Sequence, residues 1–176
     1  MAIERDAVLM AAAQLLVRNP GASMAEVAQA AGISRASLHR LVDGRKALVS
    51  ELAELGIRRG RAALEAAQPE SGDPTEALRR VVAELVPVAD LFNLLYKEQD
   101  VDEVYAQGLD LDHIITELFR RGQRSGAFRA DLSAVWMTEA FYSLLGGAAM
   151  AAQQGRLAAR DIGLVTEQTL LAGVRT

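Results

Sequence analysis

The segment from Met24 to Leu48, MAEVAQAAGISRASLHRLVDGRKAL, constrains the fold more than any other stretch, because it starts and stops two helices within a few turns of chain. Ser23, followed three residues later by Glu26, has the spacing of a capping box, so a helix is predicted from Met24 to about Ala31. Gly32 ends it. Ser34 caps a second short helix, roughly Arg35 to Val42, and the Asp43-Gly44 pair turns the chain into a long helix from about Arg45 to Ala67. Counted from Met24, Gly32 falls ninth, where a tight or left-handed turn is needed, and Ala28 falls fifth, where two helices touch and a small side chain fits. Val27, Ala31, Ile33, Leu38 and Leu41 then occupy inward positions on both sides of the turn and form one small core.

Arg35, Ala36, Ser37, His39 and Arg40 are left facing outward, with short side chains near the helix start and a guanidinium farther along. Such a face suits a major groove, where Arg pairs with a guanine edge or a phosphate and Ala or Ser lies close to the bases. Arg45 and Lys46 open the following helix, where the macrodipole disfavours cations, so a phosphate docked at that helix start accounts for them. Asp43 would repel the phosphate unless its carboxylate caps the helix. Ser23 and Ser34, at the two helix starts, complete the candidate DNA-contacting set. Basic stripes are usually only solvated surface, but the glycine, the small residue, the inward positions and the basic flank fall in register together here. That agreement favours double-stranded DNA as the partner.

Around this motif the composition is that of an all-α protein: apolar content is 51%, dominated by Ala and Leu, and no segment alternates as a strand does. The absence of cysteine excludes disulfides, thiolate metal sites and a Cys nucleophile, and fits the cytoplasm. The apolar run AVLMAAAQLLV follows balanced charges instead of a basic cluster, and AFYSLLGGAAMAAQQG is too short to span a bilayer, so a soluble chain without membrane association is expected. Net charge is −4, yet residues 1–60 carry eight Lys/Arg against six acids, and the remainder 11 against 17. The anion-binding part is therefore expected at the N-terminus.

Before the motif, Ile3, Ala7, Val8, Ala11, Ala12, Leu15 and Leu16 mark the apolar face of a first helix ended by Asn19-Pro20-Gly21. After it, QPESGDP (68–74) reads as a linker. The domains are thus 1–48, a three-helix DNA-binding domain with its helix-turn-helix; 49–67, a connecting helix; and 74–176, a larger helical domain. In the last, a helix from Thr75 kinks near Pro87, VDEVYAQ is a short helix or turn, DLDHIITELFRRGQRSG is another helix, a further one capped by Asp131 runs to about Gln154, and RDIGLVTEQTLLAGV closes the chain. The helix after Asp131 is apolar nearly all round, and a small protein cannot bury every face of it alone. Leu144, Gly147, Ala148 and Ala151 on it, with Leu164 and Leu171 on the last helix, are therefore candidates for a four-helix seam with a second copy. Asp110, His113 and Glu117 have metal-ligand spacing but read as a solvated face, and neither metal nor cofactor is expected. Two His far apart, with no Gly-x-Ser-x-Gly and no phosphate loop, argue against an enzyme. A helix-turn-helix used only for protein contacts is the other rival.

Over residues 3 to about 55 the chain resembles TetR-family transcriptional regulators, on MAEVAQAAGISRASLHRLVDGRKAL, and GQRSGAFRADLSAVWM is similar to the lead-in to the penultimate helix of many members. It departs from them in having His39 where Tyr is usual, Val42 for Phe and Arg45 for Lys. A histidine contact to phosphate is sensitive to pH, because imidazole titrates near neutrality. The resemblance implies a homodimeric repressor on a palindromic operator, released by a small-molecule effector bound in the larger domain. Phe92, Leu95, Tyr96, Phe119, Trp136, Met137 and Tyr142 supply the aromatic and soft surface that could line the implied cavity, although each alone is more often core.

Overall fold

Helix is the state that an Ala- and Leu-rich chain favours, and among the residues described by the computed structural model, 5–95 and 102–175, the fold is all-α. Side chains are described for 5–94 and 110–175. The chain divides into two compact units: residues 5–58, 90–95 and 102–106 form the first, and 59–89 with 107–175 the second.

The first unit contains α1 (Arg5–Arg18), α2 (Met24–Ala30), α3 (Arg35–Leu41), the N-terminal part of α4 (Gly44–Ala67) and most of α6 (Ala89–Leu95). Leu9, Leu16, Val27, Leu38, Leu48, Leu52 and Leu91 meet in its core. The buried face of α1 is Val8, Leu9, Ala12, Ala13 and Leu16, so Leu9 and Ala13 replace the expected Ala7 and Ala11. Alanine on both flanks of the stripe leaves the pattern unable to fix which flank turns inward.

In the second unit α5 (Pro74–Leu85) starts one residue earlier than expected, because Asp73 accepts hydrogen bonds from the Thr75 and Glu76 amides at 2.9 and 3.1 Å and Pro74 suits the first turn. Pro87 lies in a 3-10 turn, Val86–Val88, between α5 and α6. The expected linker is a clamped turn: Arg80 donates to the carbonyls of Ala67, Gln68 and Ser71, and Arg121 to those of Pro69 and Gly72. The backbone of α7 (Asp102–Ser125) runs unbroken through Gly108, so the separate VDEVYAQ element is absent; one glycine inside a helix costs only about 1 kcal/mol. Asp131 does not cap α8 (Ala134–Gln153), because the Arg129 guanidinium takes its carboxylate at 2.5 and 2.6 Å. Ser133 is the cap and accepts from the Trp136 amide at 3.1 Å. The last helix, α9 (Ile162–Val174), packs on α8 and on α5, where Gly163 brings the backbone near Val82 and Val86. Among the described residues no helix is long and apolar enough to cross a membrane.

Candidate nucleic-acid interface

Two glycines in the left-handed region bracket α3, Gly32 at φ +67° and Gly44 at φ +86°. A Cβ at Gly32 would meet no heavy atom within 4 Å, so the backbone angle, and not lack of room, selects glycine there. Helix α3 has seven residues, too few to be stable alone. It is fixed by burying Leu38, followed by Val42 beyond its end, against Val27, Ala28 and Leu48, while Ala31, Ile33 and Leu41 pack half-buried on the same cluster. The five positions read as inward are thus on the core side.

Arg35, Ala36, His39 and Arg40 are exposed and Ser37 half-buried, so the opposite face of α3 meets solvent. Ser34 caps the helix: its hydroxyl oxygen accepts from the Ser37 amide at 3.0 Å, and its proton goes to Ser37 Oγ at 2.9 Å. Arg40 Nη2 donates to the same Ser37 oxygen at 3.0 Å, which lays the guanidinium back along its own helix. Ser23 and Glu26 form the full capping box, with Glu26 accepting from the Ser23 amide at 2.7 Å and from its hydroxyl at 2.8 Å. These bonds, the amide's first, hold the Glu26 carboxyl below its ordinary range. Asp43 stands beside His39, with Nδ1 3.6 Å from Oδ1 and both side chains well exposed.

Arg45 departs from the expected phosphate clamp. Its guanidinium turns to the loop between α1 and α2, donating to Pro20 O at 2.8 Å and Ala22 O at 3.3 Å. Lys46 is exposed. Arg45→Ala therefore does more than remove a charge: two charge-assisted hydrogen bonds that tie α4 to this loop disappear, and a urea titration is expected to show a loss of about 1–2 kcal/mol. A titration matching wild type would leave Arg45 a surface cation only.

A further basic residue escaped the sequence reading. Arg5, at the start of α1, pairs with Glu51 of α4 at 2.6 Å and donates to the Leu41 carbonyl at the end of α3 at 3.3 Å. A cation on the first turn of a helix opposes the macrodipole, which was the available signal.

No protein-family model matches the chain. It is 32% identical over 173 residues to the HTH-type transcriptional regulator NfxB of Pseudomonas aeruginosa, covering 96% of this chain and 92% of that one. The HTH-type transcriptional repressor LfrR of Mycolicibacterium smegmatis is 31% identical over 154 residues, 86% and 80% of the two chains. The crystal structure of the TetR-like transcriptional regulator LfrR from Mycobacterium smegmatis in complex with proflavine superposes with a TM-score of 0.79 at 29% identity, over 98% of this chain and 96% of that one. The chain belongs to the TetR family of transcriptional regulators. A TetR-family chain is a regulator of the helix-turn-helix type and not an enzyme, and α2 with α3 is its helix-turn-helix.

The residues expected to line an effector cavity in this TetR-family chain fall in both units. Phe92 is half-buried in the first unit, Tyr96 lies outside the described residues, and of Leu95 only the backbone is described. In the second unit Phe119 is fully buried against Phe128, ring centroids 5.8 Å apart, and Met137 is buried. Trp136 is 59% exposed, so it lies on the surface of α8. Tyr142 contacts the Phe141 ring and the Asp112 carboxyl; burial, then the charges of Asp112 and Glu139, push its hydroxyl pKa strongly up. Burial likewise raises Asp112.

Of the seam residues, Leu144, Ala148 and Ala151 are half-buried, and Gly147 and Leu164 are exposed. Leu171 is a correction: it is 5% exposed, on the inner face of α9 within its own chain. Asp110 pairs with Arg61, and Glu117 with Arg120 and Arg124. No group of three or more His, Cys, Asp or Glu suited to a metal occurs among the described residues.

Proposed function

We propose that this TetR-family chain is a cytoplasmic repressor, that it binds a palindromic operator as a homodimer through α3, and that a small molecule held in its second unit releases it. The observation that carries the reading is the disposition of α3, whose Leu38 is buried while Arg35, Ala36, His39 and Arg40 face solvent. A helix so mounted presents cations and short side chains to a groove. Selection of bound duplexes from a random pool tests it: a two-fold symmetric sequence is expected, bound less tightly as salt rises. Recovery of asymmetric or unrelated duplexes would sink it.

Support for the dimer comes from the second unit. Val135, Trp136 and Leu164 are 55%, 59% and 52% exposed, and Trp136, Ala140, Leu144, Gly147 and Ala151 recur at helical spacing along α8. Apolar surface of this kind on adjacent helices marks a contact site. One α3 alone makes few contacts, and a second copy multiplies affinity. Leu164→Glu is expected to give a folded monomer in sedimentation equilibrium, since the residue is already half in water. A dimer that survives both this change and Gly147→Glu would place the contact elsewhere.

For the effector, the proflavine in the LfrR structure suggests an aromatic cation. Here the Asp112 carboxyl meets the Tyr142 hydroxyl with Glu139 nearby, and an acidic setting of this kind favours a ligand of that class. Proflavine added to the operator complex is expected to release the DNA, and an unchanged mobility shift at saturating dye would remove this class of effector.

A further inference from the structure

Helix α3 ends in carbonyls with no partner inside the helix, and Leu38, Leu41 and Val42 hold it by apolar contacts, which are not directional, so a hydrogen bond at its far end adds direction. The Arg5 guanidinium reaches that end. Glu51 holds it by two bonds, Nη2 to Oε1 at 2.6 Å and Nε to Oε2 at 3.2 Å, and Nη2 also donates to Leu41 O at 3.3 Å. One planar group thus joins α1, the C-terminus of α3 and α4, with its orientation fixed by the forked carboxylate. Side chains of Arg5 and Glu51 are 45% and 29% exposed, a setting in which an ion pair adds little to stability. What it supplies is direction, and a small energy suffices for that: the C-terminal turn of α3 carries His39 and Arg40, so the angle at Leu41 sets where both reach.

We infer that Arg5, oriented by Glu51, is a positioning residue for operator recognition, aligning the C-terminal half of α3 without itself meeting DNA. The inference rests on α3 being the reading helix. It opposes the reading that a cation at this edge of the unit binds phosphate, and the two differ in sign for one variant. Glu51→Gln removes a negative charge, so electrostatics alone predicts tighter binding to any duplex. A brace predicts weaker binding to the operator and no weakening on random DNA.

The test uses the full-length chain and the duplex that wild type selects from a random pool, with a scrambled duplex of equal length as reference. Arg5→Lys keeps the charge but cannot form the fork; it and Glu51→Gln are each expected to lower operator affinity about tenfold, which is about threefold for each of two protomers and within the range of an exposed forked ion pair. Scrambled-duplex affinity should stay within about twofold, and the double variant should be no worse than Arg5→Lys, because both break one unit. In Arg5→Ala the dependence of affinity on salt should match wild type. Overturning results are a Glu51→Gln chain that binds the operator as tightly as wild type or more so, or an Arg5→Ala salt slope lower by about 0.9 per protomer, the mark of a lost phosphate contact. Equal losses on both duplexes also overturn it. If wild type selects no duplex, the reading on which this rests falls with it, whereas a selected duplex bound equally by wild type and variants sinks the brace alone.

Discussion

Gly122→Ala is expected to lower the thermal midpoint of the chain by about 4–8 °C in a circular dichroism melt, even though alanine is the better helix former. A Cβ built at this position on α7 would lie 2.0, 2.4 and 2.7 Å from Cδ2, Cε2 and Cγ of Phe128. The ring cannot step aside, because Phe128 is 1% exposed, packs on Phe119 and is held through its own backbone: the amides of Ala127 and Phe128 both donate to Gly122 O, at 2.9 and 3.1 Å. Overpacking at such a site costs about 3 kcal/mol, against about 1 kcal/mol recovered from helix propensity. The net loss of about 2 kcal/mol or more translates into the stated midpoint shift for a chain of this length. Gly173→Ala on α9 is the control: an added Cβ there meets nothing within 4 Å, so only the propensity gain remains. Phe128→Leu added to Gly122→Ala should recover part of the loss. A Gly122→Ala chain that melts with wild type would show that α7 and the following turn are not locked together as described.

What the sequence made legible follows from the range of the forces involved. The helix-turn-helix is specified by neighbours: Ser23 with Glu26, Ser34, the left-handed Gly32 and the apolar spacing from Val27 to Leu41 all act within a few residues. Local chemistry with two equivalent solutions was harder, as at α8, where Asp131 and Ser133 are both good caps and Arg129 decides between them by occupying the aspartate. Destinations of long side chains were beyond reach. Arg45 carries the same charge whether it meets a phosphate or the carbonyls of Pro20 and Ala22, and only the path of the chain brings those carbonyls within 3.3 Å. Helix α8, apolar on nearly every face, gave no period from which to tell Met137, buried, from Trp136, exposed. Leu171 and Leu164 posed the same problem on α9.

Arg40→Ala is expected to weaken operator binding about a hundredfold or more while leaving the melting curve unchanged. The side chain is exposed and its guanidinium donates to Ser37 of its own helix, so truncation removes no contact with the core. Release from one hydroxyl is a small cost, and the freed group can reach a base edge or a phosphate one helical turn from Ser37. A bidentate contact to a base contributes about 1–3 kcal/mol, and a symmetric dimer loses it in both half-sites, which gives the stated factor. The form of the loss then says what Arg40 touches. A base contact, when lost, relaxes the preference at one position of each half-site and leaves the salt slope alone; a phosphate contact lowers the slope by about 0.9 per protomer and weakens all sequences alike. Wild-type affinity, slope and sequence preference together in Arg40→Ala would mean that the C-terminal half of α3 does not enter the groove. Reading would then fall to Arg35 and Ala36 at its start, and an Arg5 brace at the far end of the helix would have nothing to align.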